Sequence, residues 1–113
     1  MASVADVERS MVFYRHLGFE VGDRFAPEGA TRPVWAWLYS EGAQLMVAAA
    51  DKPVLAEQQR VLFYVHTDDV AAAHKELSEA GLNPGRITTP FYAPRGEFQL
   101  SDPDGYVVMV THT

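Results

Sequence analysis

The feature that most constrains the fold is an internal repeat with a period of 63 residues. The segment that begins at Asp6, DVERSMVFYRHLGFEVG, corresponds to the one that begins at Asp69, DVAAAHKELSEAGLNPG, at its first residue and at its glycines. The same offset relates EGAQLMV to DGYVVMV, so that Met46 corresponds to Met109. Identity between the halves is low, but the shared caps and turns predict one structural module used twice.

The sequence predicts one helix and four strands in each copy of the module. Asp6 and Asp69 are suitable N-caps, apolar residues follow them at helical spacing, and Gly18 and Gly81 stand where the helices should end. One strand precedes each helix, shortened to residues 1–4 in the first copy and covering VLFYVHT in the second. Three strands follow each helix, and they are predicted at 19–25, 34–39, 44–48, 82–88, 96–100 and 106–111.

The order β-α-β-β-β, used twice, predicts an α+β fold and differs from the ferredoxin-like order β-α-β-β-α-β. We expect a single domain over residues 1–113, built from module one (1–50), a linker (51–60) and module two (61–113). Because the first strand of module one is so short, the sequence predicts an unpaired sheet edge there. Either a second chain covers that edge or the native start lies upstream of Met1.

Composition narrows the possible partners. There are 15 acidic and 9 basic residues, and the net charge of -6 disfavours nucleic acid, whose binding relies on clustered cations. The chain has no cysteine, which excludes disulfides, thiolate metal sites and cysteine nucleophiles. The longest apolar run, LMVAAA, is too short to span a bilayer, and no signal segment opens the chain. A cytoplasmic protein without membrane or nucleic-acid partners is therefore expected.

One face of the predicted sheets is left uncovered by the helices. Side chains alternate along strands, so this face should carry aromatic, soft and sparsely polar residues. It collects Trp35, Trp37, Met46, Leu62, Tyr64, His66, Glu97, Gln99 and Met109. The loop TTPFYAPR, which carries Tyr92 and Arg95, is predicted to overhang the same face. This composition is typical of a small-molecule pocket and equally of a dimer interface, and the two can coexist.

The segments VADVERSMVFYRHLGFEVGDRF, GAQLMVA, DDVAAAHKELSEAGL and RGEFQLSDPDGYVVMV resemble the vicinal oxygen chelate superfamily. This superfamily contains glyoxalase I, extradiol dioxygenases, and fosfomycin and bleomycin resistance proteins, and the resemblance covers nearly the whole chain. It implies paired βαβββ modules whose sheets curl into a cup with the helices outside. In the family's enzymes, His, Glu or Gln from the first and last strand of each module holds a divalent metal in that cup.

The family's metal-ligand places do not carry metal ligands in this chain. They fall on Met46, on Met109 and at or next to Leu62, while the fourth lies before Met1. Thioethers are poor ligands for Mg, Mn, Fe(II), Ni or Zn. The resemblance therefore implies a chain with no metal and no cofactor, closest in character to the bleomycin resistance proteins, which are dimers that sequester a cationic aromatic drug.

Three functional hypotheses follow. The first is a metal-independent homodimer that binds an aromatic or cationic molecule, which the acidic charge, Trp35, Trp37 and Glu97 suit through contacts worth about 1 kcal/mol each. The second is an enzyme of the same superfamily, a lyase, isomerase or dioxygenase that uses a metal bound elsewhere or acid–base chemistry through His66 and Glu97 with Tyr64. The third is an interaction module whose open face is filled by its partner chain.

Overall fold

The computed structural model describes residues 1–59 and 61–113, in which seven strands and two α-helices form an α+β fold. The last residue of the predicted linker 51–60 lies outside the described residues. The chain divides into two units, Met1–Ala56 and Glu57–Thr113, and each contains one helix and one open mixed sheet. The predicted fold class is confirmed, and each unit is described by itself below.

The first unit contains β1 (Ala2–Val4), α1 (Val7–Arg15), β2 (Glu20–Phe25), β3 (Trp35–Ser40) and β4 (Ala43–Ala49). Its strands lie in the order β1-β4-β3-β2, with β1 parallel to β4 and the other neighbours antiparallel. The shortened opening strand of the prediction therefore forms a three-residue strand that pairs with β4.

The second unit contains β5 (Leu62–Thr67), α2 (Val70–Glu79), β6 (Glu97–Ser101) and β7 (Val107–His112). These strands lie in the order β5-β7-β6, with β5 parallel and β6 antiparallel to β7. A short 3-10 turn at Ala56–Gln58 precedes β5. Each sheet thus contains one parallel and at least one antiparallel pairing, and the order is β-α-β-β-β in the first unit but β-α-β-β among the described residues of the second.

Both helices begin at the predicted caps and end shortly before the predicted glycines. The Asp6 carboxylate accepts a hydrogen bond from the Arg9 backbone N–H (3.2 Å), and Asp69 accepts one from Ala72 (2.9 Å). Such caps stabilise a helix by about 1 kcal/mol each. Gly18 and Gly81 follow the helices with φ of 90° and 86°, a left-handed conformation that a Cβ disfavours. None of the described helices is long and apolar enough to cross a membrane.

The predicted strand at 82–88 is wrong. In its place the structure has an irregular segment that meets β6 through an isolated bridge between Thr88 and Glu97. One further hydrogen bond runs from the Gly85 N–H to the Gln99 carbonyl at 2.7 Å. The physical reason is the run Asn83-Pro84-Gly85, because proline has no N–H to donate to a ladder, and asparagine and glycine are disfavoured in strands.

The core of each unit lies between its helix and one face of its sheet. The helix α1 packs on β2, β3 and β4, and α2 packs on β6 and β7. The alternation predicted from sequence is confirmed at the buried strand positions, which include Ala36, Leu38, Val47, Phe98, Leu100, Val108 and Val110. The face away from the helix is called the open face of each sheet from here on.

The aspartates of the DPDG stretch have a structural role. One Asp102 carboxylate oxygen accepts hydrogen bonds from the Asp104 N–H (2.8 Å) and the Tyr106 N–H (2.9 Å). Both aspartates are buried in the turn between β6 and β7. The hydrogen bonds of Asp102 therefore stabilise this turn.

Candidate ligand-binding site

The open face of the first sheet is an aromatic patch. Trp35, Trp37 and Tyr39 follow one another at alternate positions of β3 and are each half-buried. The Trp37 and Tyr39 rings lie 5.1 Å apart, and Met46, which is 43% exposed, is the cross-strand neighbour of Trp37. Three predicted site residues, Trp35, Trp37 and Met46, therefore share one surface of this unit.

The remaining predicted strand residues lie on the open face of the second sheet, in rows that cross its three strands. The order of strands puts β7 in the middle, so each row has a β7 residue between one from β5 and one from β6. The rows are Leu62–Val107–Ser101, Tyr64–Met109–Gln99 and His66–Thr111–Glu97. The middle row brings three predicted site residues together, and the last row brings two.

The suggested acid–base group of His66 and Glu97 is not formed in this structure. The two residues lie on opposite sides of Thr111 in their row, two strands apart. His66 is exposed, whereas Glu97 is buried and accepts a hydrogen bond from the Tyr92 hydroxyl. No hydrogen bond joins the two side chains in the part of the chain that the structure describes.

Glu97 is the most unusual polar residue of the site. It is only 3% exposed at the start of β6, and its Oε1 accepts a hydrogen bond from the Tyr92 hydroxyl at 2.8 Å. Within the part of the chain that the structure describes, its buried Oε2 has no hydrogen-bond partner. Buried polar atoms are nearly always satisfied, and an unsatisfied charged one carries a desolvation penalty.

The predicted overhanging loop reaches the site through Tyr92. The hydrogen bond to Glu97 raises the pKa of Tyr92, and desolvation and the nearby Glu97 and Tyr64 side chains add to the effect. Tyr92 itself is 60% exposed, and the neighbouring Phe91 is 96% exposed with its ring edge-on to Tyr92 at 5.4 Å. Arg95, the other predicted loop residue, is exposed to solvent.

A cleft of about 790 Å³ opens beside β6 in the second unit. Three predicted site residues, Glu97, Gln99 and Met109, line it. The rest of its wall, which sequence reasoning did not assign to a site, comes mainly from Gly81 and the irregular segment that follows it: Leu82, Asn83, Gly85, Arg86 and Thr88. The proline inside the predicted strand 82–88 was the signal that this segment would leave the sheet.

The wall of the cleft is held from the helix side as well. His74 of α2 places its Nε2 at 2.9 Å from the Gly85 carbonyl oxygen and its ring edge-on to Phe98 at 5.1 Å. Because the Gly85 N–H also bonds to Gln99, this one glycine is fixed between α2 and β6. His74 is thus half-buried and holds the wall of the cleft.

The metal-ligand places of the family can now be compared with the side chains present. Met46 lies in β4, Met109 in β7 and Leu62 at the start of β5, so they supply two thioethers and an alkyl group. Among residues 1–59 and 61–113, no three His, Cys, Asp or Glu side chains form a group that could hold a metal ion. This donor set does not fit the divalent metal of the family's enzymes, because such ions prefer oxygen and imidazole ligands.

Several solved structures share this fold. A bleomycin-binding protein in complex with bleomycin aligns with a TM-score of 0.78 and 18% identity, covering 99% of this chain and 93% of that one. A bleomycin resistance determinant encoded on transposon Tn5 gives a TM-score of 0.79 and 18% identity, with 99% and 92% covered. The antibiotic-binding protein TnmS3 from Streptomyces sp. CB03234 gives 0.71 and 24%, with 98% and 89% covered.

At such identities the structural likeness establishes the fold alone, and no curated protein sequence matches the chain. A family model, in contrast, matches it over residues 1–110, which is nearly the whole length. That match includes residues of both units and the DPDG turn described above. The chain belongs to the glyoxalase/bleomycin resistance protein/dioxygenase superfamily.

Proposed function

We propose that this chain is a small-molecule binding protein that works without a metal ion and takes an aromatic or cationic ligand. The observation that carries the proposal is the buried Glu97, whose free Oε2 belongs to a residue that lines the cleft of the second unit. A buried carboxylate with one oxygen left open is expected where a ligand completes the hydrogen bonding.

The size and lining of the cleft support binding of a drug-sized molecule. Its volume of about 790 Å³ lies within the range of ligand pockets, which runs from about 300 to 1,000 Å³. Such pockets combine apolar surface with a few placed polar groups, as Met109, Leu82 and Glu97 do here. Proteins of the same fold that bind bleomycin or another antibiotic make this use of the fold plausible.

The ligand type follows from charge and aromatic content. The net charge of -6 attracts cations, and Trp35, Trp37 and Tyr64 offer ring faces on the open faces of their sheets. Met46 and Met109 support metal independence, since thioethers at the family's ligand places bind divalent ions such as Zn or Mn weakly.

We also propose that the protein is a cytoplasmic homodimer. Met46, Leu62 and Tyr64 are 43%, 45% and 52% exposed, and exposed apolar side chains on a sheet face suit a second copy as well as a ligand. Light scattering on a size-exclusion column gives the mass in solution, and a monomer at micromolar concentration would contradict this part of the proposal.

Titration calorimetry with four compounds of one size tests the binding function. The compounds are naphthylmethylamine, naphthamidine, naphthylmethanol and naphthoate, used on protein dialysed against a chelator and checked by elemental analysis. Saturable binding of one molecule per chain, with the two cations and the alcohol ahead of naphthoate, is expected. A stoichiometric transition metal that survives dialysis would contradict metal independence, and failure of all four compounds to bind would contradict the binding function.

A further inference from the structure

The geometry of Glu97 also specifies the kind of cation, an inference that rests on the proposed function. We propose that Glu97 Oε2 anchors a protonated aliphatic amine of the ligand, and that Tyr92 is a positioning residue that makes the site prefer an ammonium to a planar, forked cation. The recognised chemical class is therefore an aromatic molecule that carries a primary or secondary amine.

The Oε2 atom of Glu97, unpaired within the described residues, carries a free-energy cost in the ligand-free protein. Glu97 is 3% exposed and Oε2 is buried with no partner in the described part of the chain. Arg86 lines the same cleft, yet its guanidinium does not provide a hydrogen bond to this oxygen. A carboxylate held in this way lowers the stability of the free protein, so a compensating role in binding explains it better than a structural one.

The other carboxylate oxygen of Glu97, Oε1, is already engaged in a hydrogen bond. Oε1 already accepts the Tyr92 hydroxyl at 2.8 Å, so one oxygen of the carboxylate is engaged before a ligand arrives. Amidinium and guanidinium groups pair best with carboxylates through two parallel hydrogen bonds, which use both oxygens. An ammonium is a compact charge that needs only one acceptor at a time. The occupied Oε1 therefore favours amines.

Apolar and aromatic side chains lie near the Glu97 carboxylate. Phe98 and Met109 line the cleft together with Glu97, and apolar neighbours strengthen an ion pair by keeping water away. Tyr92 and the nearly fully exposed Phe91 lie in the loop that approaches Glu97, so they offer ring surface for the aromatic part of the ligand. A cation next to aromatic faces gains further attraction.

The experiment compares three single variants with the wild type on the same naphthyl compounds. Glu97→Gln removes the charge but keeps an oxygen for Tyr92, and Tyr92→Phe frees Oε1. Glu79→Gln is the matched control, because it removes the same charge from an exposed residue of α2. Affinities come from calorimetry, and melting temperatures of the ligand-free proteins come from circular dichroism.

In the wild type, naphthylmethylamine should bind more tightly than naphthamidine. Glu97→Gln should weaken naphthylmethylamine by about tenfold or more, because a charged hydrogen bond is lost, and leave naphthylmethanol within about twofold. Tyr92→Phe should narrow or reverse the preference for the amine over the amidine. Glu79→Gln should bind all compounds as the wild type does.

Two results would distinguish failure of the amine preference from failure of the binding function. If naphthylmethanol binds to the wild type but the amine binds no better, or if Glu97→Gln leaves amine affinity unchanged, this inference is wrong and the binding function stands. If none of the compounds binds to the wild type, the binding function itself fails. The ligand-free Glu97→Gln protein should melt at the same or a higher temperature than the wild type, whereas a purely structural Glu97 predicts a lower one.

Discussion

The second strand of the first repeat and the matching segment of the second have different structures. The strand β2 pairs with β3 almost from end to end, with one irregularity between Val21 and Arg24. The corresponding segment, 82–88, meets β6 only near Gly85 and Thr88. The residue that matches Val21 at the repeat offset is Pro84. One proline at a sheet edge thus accompanies the change from a strand to the wall of a cleft.

The two helices differ in the same direction. The helix α1 buries five side chains, whereas α2, which is of similar length, buries two. Tyr14 and Leu77 correspond in the repeat and are both buried, but Met11 corresponds to His74. The first repeat uses this helix position for core packing, and the second uses it to hold Gly85 at the cleft. The helix of the second repeat therefore buries fewer side chains, and one of its residues contacts the wall of the cleft instead.

The largest expected effects on the free energy of unfolding are those of substitutions at the two matched core residues. Tyr14→Ala should lower the free energy of unfolding by about 3–5 kcal/mol, because Tyr14 also packs its ring against Phe13 and Phe19. Leu77→Ala should cost less, in the lower part of about 2–5 kcal/mol. Urea unfolding followed by circular dichroism measures both, and a costlier Leu77→Ala would contradict the asymmetry between the helices.

Exchanging the residues at the matched strand position is the next test. Val21→Pro should destabilise the protein by about 1–3 kcal/mol, because proline fixes φ and removes a backbone donor from β2. Pro84→Val should lower stability by less than about 1 kcal/mol, through greater freedom of the unfolded chain.

Pro84→Val should also allow the segment 82–88 to pair with β6 and narrow the cleft, so binding of naphthylmethylamine should weaken. Val21→Pro, in the other repeat, provides the control, since folded Val21→Pro protein should bind the compound as the wild type does. Unchanged affinity in Pro84→Val would mean that proline is not what keeps the cleft open.

A smaller effect is expected from the two matched glycines. A Cβ added at Gly22 would lie 2.7 Å from Cε3 of Trp37, and one at Gly85 would lie 3.2 Å from the Gln99 carbonyl oxygen. Gly22→Ala should therefore be destabilising by about 1 kcal/mol or more, because the clash outweighs the benefit of about 0.4–1 kcal/mol from a stiffer unfolded chain. Gly85→Ala should be close to neutral. Tryptophan fluorescence during urea unfolding measures both variants.

The smallest expected effect is a pH dependence at Tyr92. Its pKa is raised above the ordinary 10.0 by the hydrogen bond to Glu97. A raised pKa in the folded state means that the stabilising contribution is fully present below the unfolded value and is lost as pH rises through the folded one. The stability difference between wild type and Tyr92→Phe should therefore be constant near neutral pH and shrink at alkaline pH. Unfolding measured across this range, with tyrosinate absorbance to locate the pKa, checks it.

The sequence predicted those parts of the fold that depend on local chemistry. The caps at Asp6 and Asp69 and the alternation of buried and open side chains in β3 and β7 are all confirmed. The irregular segment 82–88 was missed because Leu82, Ile87 and Thr88 at its ends are strand-type residues and the segment matches β2 at the repeat offset. The helix residue His74 was missed because its partner, the Gly85 carbonyl, becomes a neighbour only through the fold.

The sequence by itself determined the repeat, the fold class and the loss of hard ligands at Met46 and Met109, since caps, alternation and residue identity can be read one position at a time. Only the tertiary structure decided that Glu97 is buried, that Tyr92 holds one of its oxygens and that the other remains open in the described chain. The physical reason is that burial and hydrogen bonding depend on which distant segments meet. A strand pattern predicts which face of the sheet a side chain lies on, but not which residues it contacts in the folded protein.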